Sequence, residues 1–294
     1  MKRKLFVIIC THNGEKFIKE QIDSIYLANE NFEILVYDFG SQDNTLNICE
    51  EYSRLRNLKV HSYKFAPGAK KSFMFALNEF KRTYHSNYKD YLIFLSDQDD
   101  IWSKKKFIEV RNKHNIIDNE LPQFVHHNVQ LIDTFGDKIL KSFYNYSESV
   151  IRKRYTTLYF SVVVGHTISM NKRFIELLTT FSDEEIIMHD WWLSIIADLN
   201  HCRYYIDSKL SYYRIHSDNI YGLNKSGTNI NKKVKNYISN CKTITKQRNK
   251  ILTDYKEKIR EKEIFFKILK TLLFKFRFKI LILVVGQKIF NHED

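Results

Sequence analysis

Three carboxylates fall within four positions of the run Ser96-Asp97-Gln98-Asp99-Asp100. Carboxylates this crowded repel one another unless a cation sits among them, and a hard divalent metal relieves that repulsion. Mg²⁺ or Mn²⁺ held by one or two carboxylates fills much of its remaining shell with phosphate oxygens, which pairs such a cluster with a diphosphate. The competing reading is an acidic turn in which Asp99 or Asp100 caps a helix in the following IWSKKKFIEV.

Other polar residues stand at comparable places. Asp38 can accept a hydrogen bond from a nucleobase N–H, and with Thr11 it outlines a nucleotide pocket. Asp43 reads as a cap for the helix that begins near Thr45. Asp190, followed by Trp191, Trp192 and Leu193, reads from the residues alone as an N-cap before a buried helix. One indole of that pair fits the core, and the other, taken as Trp191, could support the site by stacking on the apolar face of a sugar. His166 and His189 read as structural residues.

The elements that position these groups alternate along the chain. LFVIIC has the pattern of a buried strand, and EKFIKEQIDSIYLA repeats apolar residues at helical spacing. FEILVYD is a second strand before the helix TLNICEEYSRL; LKVHSYK is a third before the helix GAKKSFMFALNEFKRTY; DYLIFLS is a fourth. Such alternation implies an α/β sheet, in which ligands bind beyond the carboxyl ends of the strands. Those ends are THNG, DFGSQD and SDQDD.

The chain of 294 residues, 44% hydrophobic and 15% aromatic, can bury a sizeable core and is not disordered. Only 8 Gly and 2 Pro argue for long elements over many tight turns. A formal charge of +13 favours a polyanionic partner: nucleic acid, anionic lipid or a nucleotide diphosphate. The 4 cysteines form no CxxC pair, which points away from a structural zinc site or a disulfide framework and toward a reducing compartment. The apolar run Leu5 to Cys10 is too short for a signal peptide.

Past about residue 225 the composition turns basic and bulky-apolar, as in EIFFKILKTLLFKFRFKILILVV. The expected division is a catalytic domain over 1–224 and a helical C-terminal extension over 225–294. The longest apolar run there, Ile280 to Val285, falls far below the roughly 20 residues that span a bilayer. Lying on an anionic membrane surface is favoured over an ordinary helix packed on the domain.

The stretches VIICTHNGEKFIKEQIDSI, VYDFGSQDNT, PGAKKSFMFAL, YLIFLSDQDDIWSKKK, VVGHTISMN, MHDWWLSIIA and YYRIHSDNIYG, in this order, resemble the family 2 glycosyltransferases, especially a rhamnosyltransferase-like bacterial subgroup. The resemblance covers residues 4 to 222. It implies a GT-A fold, a Rossmann-like nucleotide-binding sheet flanked by helices. It further implies that Thr11 and Asp38 contact base and ribose, that Asp97 and Asp99 form the DXD element with Asp100 close by, and that Asp190 is the general base. Arg214 and His216 match a segment that closes over the diphosphate, the Arg offsetting leaving-group charge and the His completing the shell of Mn²⁺ or Mg²⁺. Two positions depart from the family: Phe39 stands where a second acidic residue is common, and Asn128 where Asp is frequent.

The activity so implied is an inverting transfer from dTDP-rhamnose or a UDP-hexose to a lipid-linked surface glycan, by a cytoplasmic enzyme peripheral on the inner face of the membrane. The rivals are a basic nucleic-acid-binding protein, disfavoured by an acidic turn at the functional edge of the sheet, and a degenerate transferase hinted at only by Phe39.

Overall fold

A computed structural model describes residues 3–140, 143, 148–158, 161–178 and 188–216. The extension expected over 225–294, its membrane role, and the end of the YYRIHSDNIYG segment lie outside these residues.

The first strand, β1 (Lys4–Thr11), is apolar on both faces because it has a neighbour on each edge and helices above and below. Leu5, Val7 and Ile9 enter one core with Ile18, Ile22 and Ile25 of α1 (Ile18–Tyr26). Phe6 and Ile8 enter the opposite core with Phe73, Leu77 and Phe80 of α3 (Ala69–Thr83). This alternation of side chains along the strand is what holds two helical layers to one sheet.

The sheet runs β3 (Leu58–Tyr63), β2 (Phe32–Phe39), β1, β4 (Tyr91–Ser96), β8 (Ser169–Asn171), β6 (Phe124–Ile132), β9 (Arg203–Arg214) and β5 (Ile101–Trp102), with β7 (Lys138–Ile139) paired to β6. From β3 to β4 the strands are parallel, so Thr11 is level with Asp38 and Ile9 with Ser96. Strand order reverses around β1, which places the crevice of an open α/β sheet at those ends. The short β8 is antiparallel to both β4 and β6, and brings Ser169 beside Phe94. Helices α2 (Thr45–Leu55) and α4 (Lys106–Asn115) share the layer of α1, whereas α6 (Lys172–Leu177) and α7 (His189–Leu199) share that of α3. A one-turn helix, α5 (Glu148–Ile151), adds Ile151 to the α3 side.

The helix expected in TLNICEEYSRL is α2. The first helix starts at Ile18, later than its apolar pattern, because Phe17 and Ile18 N–H both bond the Gly14 carbonyl in a tight turn. The capping role considered for Asp99 and Asp100 is excluded: Ile101 and Trp102 pair with Tyr212 and Ser211 as β5, and α4 begins only at Lys106. Nor is Asp190 an N-cap, since Met188 holds that position and Asp190 lies in the first turn.

Phe80 is fully buried, with the rings of Phe6 at 5.0 Å and Tyr91 at 5.1 Å, both edge-to-face. Phe80→Ala is expected to lower unfolding free energy by about 3–5 kcal/mol, read as a lower urea midpoint with an unchanged slope.

Candidate active site

Two loops interlock at the carboxyl ends of β1 and β2. Asn13 takes a positive φ of 49°, donates its N–H to Ser41 Oγ (2.9 Å), and accepts from Gln42 N–H (2.8 Å). Gly14 N–H donates to Thr45 Oγ1 at 2.7 Å, and Glu15 N–H to Asp43 Oδ2 at 3.1 Å. Asp43 also accepts from Thr45 N–H at 3.1 Å, so it supports the start of α2 from the position before the Asn44 cap. Beneath this crossing the buried Asp38 carboxylate accepts from Thr11 Oγ1 (2.9 Å), Ser41 N–H (3.2 Å) and Ser41 Oγ. Phe39 points to the other face, stacked on Tyr63 at 5.5 Å in the core, where an acidic side chain would be stranded. Asn128 sits at a register shift between β6 and β9 and bonds Val129 N–H through its own Oδ1 (2.8 Å).

The acidic turn after β4 divides its carboxylates. Asp100 is 1% exposed; its Oδ1 accepts the Arg214 backbone N–H at 3.0 Å, and its Oδ2 lies 2.6 Å from His166 Nδ1. Asp97 Oδ2 is 3.5 Å from the same nitrogen. Asp97, Asp100 and His166 each offer one ligand atom, all within 4.8 Å of one another. The two carboxylate oxygens suit Mn²⁺ or Mg²⁺, and among the described residues neither Asp100 Oδ2 nor His166 Nδ1 has a fully formed hydrogen bond. Asp99 and His216, expected in the metal set with Asp97, instead pair with each other, Nε2 to Oδ2, at 2.9 Å.

Burial pushes the His166 imidazole toward neutrality, but Asp100 and Asp97 outweigh it and raise its pKa to about 9. Burial, aided by Asp100 and Asp97 and opposed by His216, raises Asp99 to about 6. Lys106 is 1% exposed beneath the turn, its Nζ donating to the His166 carbonyl (2.7 Å) and resting 3.5 Å from the Trp102 ring centroid. Burial lowers this ammonium well below its ordinary value, while Asp100 and Asp97 pull it back.

Arg214, expected on the diphosphate, is 2% exposed and spent on protein. Its guanidinium donates to the Asp99 carbonyl (2.9 Å), the Thr134 carbonyl (3.1 Å) and Glu20 Oε2 (2.5 Å), and lies over the Phe17 ring. It clamps the acidic turn to α1 and to the β6–β7 hairpin. Trp191, read as a sugar-facing indole, is a core residue: both indoles of the pair are buried, and Trp191 Nε1 donates to the Thr157 carbonyl (2.5 Å).

Asp190 stands half-buried at the N-terminus of α7, where Trp191 N–H donates to its Oδ1 at 2.7 Å. Burial raises its pKa, and the Asp97 carboxylate acts in the same sense, whereas His189 opposes it. Asp190 Cβ lies near Gly165, the residue before His166, so Asp190 stands beside the Asp97–Asp100–His166 cluster.

Three participants carried no usable signal in the sequence. His166 reaches the acidic turn only because Leu95 N–H bonds the Ile168 carbonyl (3.0 Å) as β8 docks on β4. Lys106 looks like any member of a lysine run. Gln98, between the acidic residues, bonds both the N–H (2.9 Å) and carbonyl (3.2 Å) of His12, tying the turn to the β1 loop. Gly14 makes room for it: a Cβ there would fall 2.4 Å from Gln98 Oε1. Gly14→Ala is expected to displace that amide at a cost of about 1–2 kcal/mol. In a Gln98→Ala background the same change should cost under about 0.5 kcal/mol; a double-mutant cycle by urea unfolding checks this.

The family model described as "Glycosyl transferase family 2" matches residues 6–178. The dTDP-rhamnosyl transferase RfbG of Shigella flexneri is 30% identical over 236 residues, 74% of this chain and 75% of that protein. Among solved structures, Staphylococcus aureus TarS 1-349 in complex with UDP-GlcNAc superposes with a TM-score of 0.54 at 18% identity, covering 83% of this chain and 66% of that one. The chain spans 60% of the same TarS fragment in another of its crystal structures. Mannosyltransferase PcManGT from Pyrobaculum calidifontis, in complex with GDP-Man and Mn²⁺, gives 0.58 at 14% identity over 100% of this chain and 76% of that one. With these matches to a GT-A-like sheet carrying an acidic turn at its open edge, the chain belongs to glycosyl transferase family 2, as a rhamnosyltransferase-like member.

Proposed function

We propose that the protein transfers a sugar, with inversion, from a nucleoside-diphosphate donor to a glycan acceptor hydroxyl. The observation that carries this reading is the proximity of Asp190 to the Asp97–Asp100–His166 cluster at the strand ends. Thr11 and Asp38 would hold the base and ribose. Three donors already converge on Asp38, which fixes the acceptor edge it would present to a nucleobase N–H.

Asp97 and Asp100, with His166, would hold Mn²⁺ or Mg²⁺, and Asp99 with His216 lies beside them. When bound, the cation supplies positive charge to the departing diphosphate. Asp190 takes the proton of the acceptor hydroxyl as its oxygen bonds the anomeric carbon; the bond from that carbon to the diphosphate oxygen breaks, and its electron pair leaves with the nucleotide. Attack from the face opposite the leaving group inverts the centre. Arg214 and Lys106 act from beneath, Arg214 fixing Asp100 and the Asp99 carbonyl and Lys106 the His166 carbonyl, which holds the turn in place.

Similarity to the Shigella rhamnosyl transferase favours dTDP-rhamnose, with UDP-hexoses next. A lipid-linked intermediate of a capsule, O-antigen or cell-wall glycan is the acceptor in this reading, met on the inner face of the membrane. The basic, apolar composition of 225–294 supports attraction to anionic lipid, at about 1 kcal/mol per lysine near the surface. Among the described residues no helix is long and apolar enough to cross a membrane.

Thermal-shift or calorimetric titration with UDP, dTDP and their sugars tests the donor site. One nucleotide series should stabilise the wild type with Mn²⁺, and the effect should vanish with EDTA and in Asp97→Asn; no response to any nucleotide with any metal would refute the reading. Asp190→Asn should lower kcat by about 10²–10⁴-fold with donor affinity kept. Asp190 must be ionised to act, and burial raises its pKa, so kcat/KM should climb with pH through a value above the ordinary carboxylate pKa of about 3.9. That acid limb should be missing from the residual activity of Asp190→Asn.

A further inference from the structure

His189 is a buried imidazole that the transfer chemistry leaves unused. It opens α7 directly before Asp190, is 2% exposed, and among the described residues has no hydrogen-bond partner at either ring nitrogen. Two unmet nitrogens on one buried ring are uncommon, because each loses its water without replacement. The ring is held by apolar contact instead, stacked on Phe73 at 4.2 Å with an interplanar angle of 21°.

The room around it is specified too. A Cβ at Gly165 would lie 2.8 Å from His189 Nε2, so the turn carrying His166 must have glycine at that point for the imidazole to keep its place. The ring and Asp190 Cβ both abut Gly165, the residue before His166, which sets the imidazole in the interval between the Asp97–Asp100–His166 cluster and Asp190. On the donor reading above, which this inference presupposes, the transferred sugar occupies that same interval: its anomeric carbon is bonded to the diphosphate held at Asp97 and is attacked by the oxygen that Asp190 deprotonates.

We propose that His189 reads a hydroxyl of the transferred sugar, making it a specificity-determining residue of the donor site. A neutral imidazole offers one donor and one acceptor, which matches a hydroxyl that can both accept and donate. The stack on Phe73 fixes the plane of the ring, so only a hydroxyl at one height and orientation meets it.

His189→Phe keeps the ring and its stack while deleting both nitrogens; His189→Gln keeps polar atoms. With the sugar nucleotide that the wild type turns over best, the Phe variant should lose about tenfold in kcat/KM, the equivalent of one hydrogen bond, and Gln should recover part of it. Affinity for free UDP or dTDP, which carry no sugar, should not change. Wild-type turnover and sugar preference in His189→Phe would overturn the proposal. Should the Phe variant fail to fold, ¹⁵N spectra of the wild-type histidine rings give a second test. The His189 nitrogens should shift with the sugar nucleotide and not with the free diphosphate, and an equal response to both would overturn the proposal. A wild type that binds free UDP or dTDP but shows no added response to any sugar nucleotide refutes the role of His189 alone; one that binds neither refutes the donor site and His189 with it.

Discussion

The approach of His166 Nδ1 to Asp100 Oδ2 at 2.6 Å, with Asp97 Oδ2 at 3.5 Å, is the interaction on which the open edge of the sheet depends. Three carboxylates in four positions repel one another in a half-buried turn, and the fold brings three basic residues to it. His166 comes from the turn before β8, Lys106 from the start of α4, and Arg214 from the end of β9. Those elements are held in place by strand pairing far from the turn in sequence. The charge balance of the site is therefore a property of the whole sheet.

This arrangement also explains why the arginine expected to meet the diphosphate sits behind it. Burying Arg214 with every branch of its guanidinium engaged leaves no uncompensated charge, and its backbone N–H fixes Asp100 while its side chain fixes the Asp99 carbonyl. A flexible, solvated arginine could not hold a turn with that geometry. Lys106 over Trp102, reaching the His166 carbonyl, completes a support that keeps the ligand atoms converged.

Much of the fold could be read along the chain, because β1, β2 and β4 are buried on both faces and the helices between the first four strands show a clear apolar stripe. The α2 boundaries and the functional loops after β1, β2 and β4 follow from that local pattern. What could not be read is whatever depends on non-local pairing. Ile101 and Trp102 continue the helical spacing of IWSKKKFIEV but are claimed by β9, and His166 acquires its carboxylates only when a three-residue strand docks between β4 and β6. Trp191 fits either a sugar platform or the core by composition; the hydrogen bond to Thr157 selects the core. Gln98 is silent in a pattern search because its partner is the backbone of His12, which has no sequence identity to recognise.

The central claim is that the acidic turn joins a divalent cation to the diphosphate of the donor. Paramagnetic broadening of the ³¹P resonances of bound dTDP or UDP by Mn²⁺ measures that junction directly. Strong broadening in the wild type, restored to the metal-free linewidth in Asp97→Asn and Asp100→Asn while the proteins remain folded, is the expected result. Equal broadening in the wild type and both variants, or none in any of them with nucleotide demonstrably bound, would contradict it.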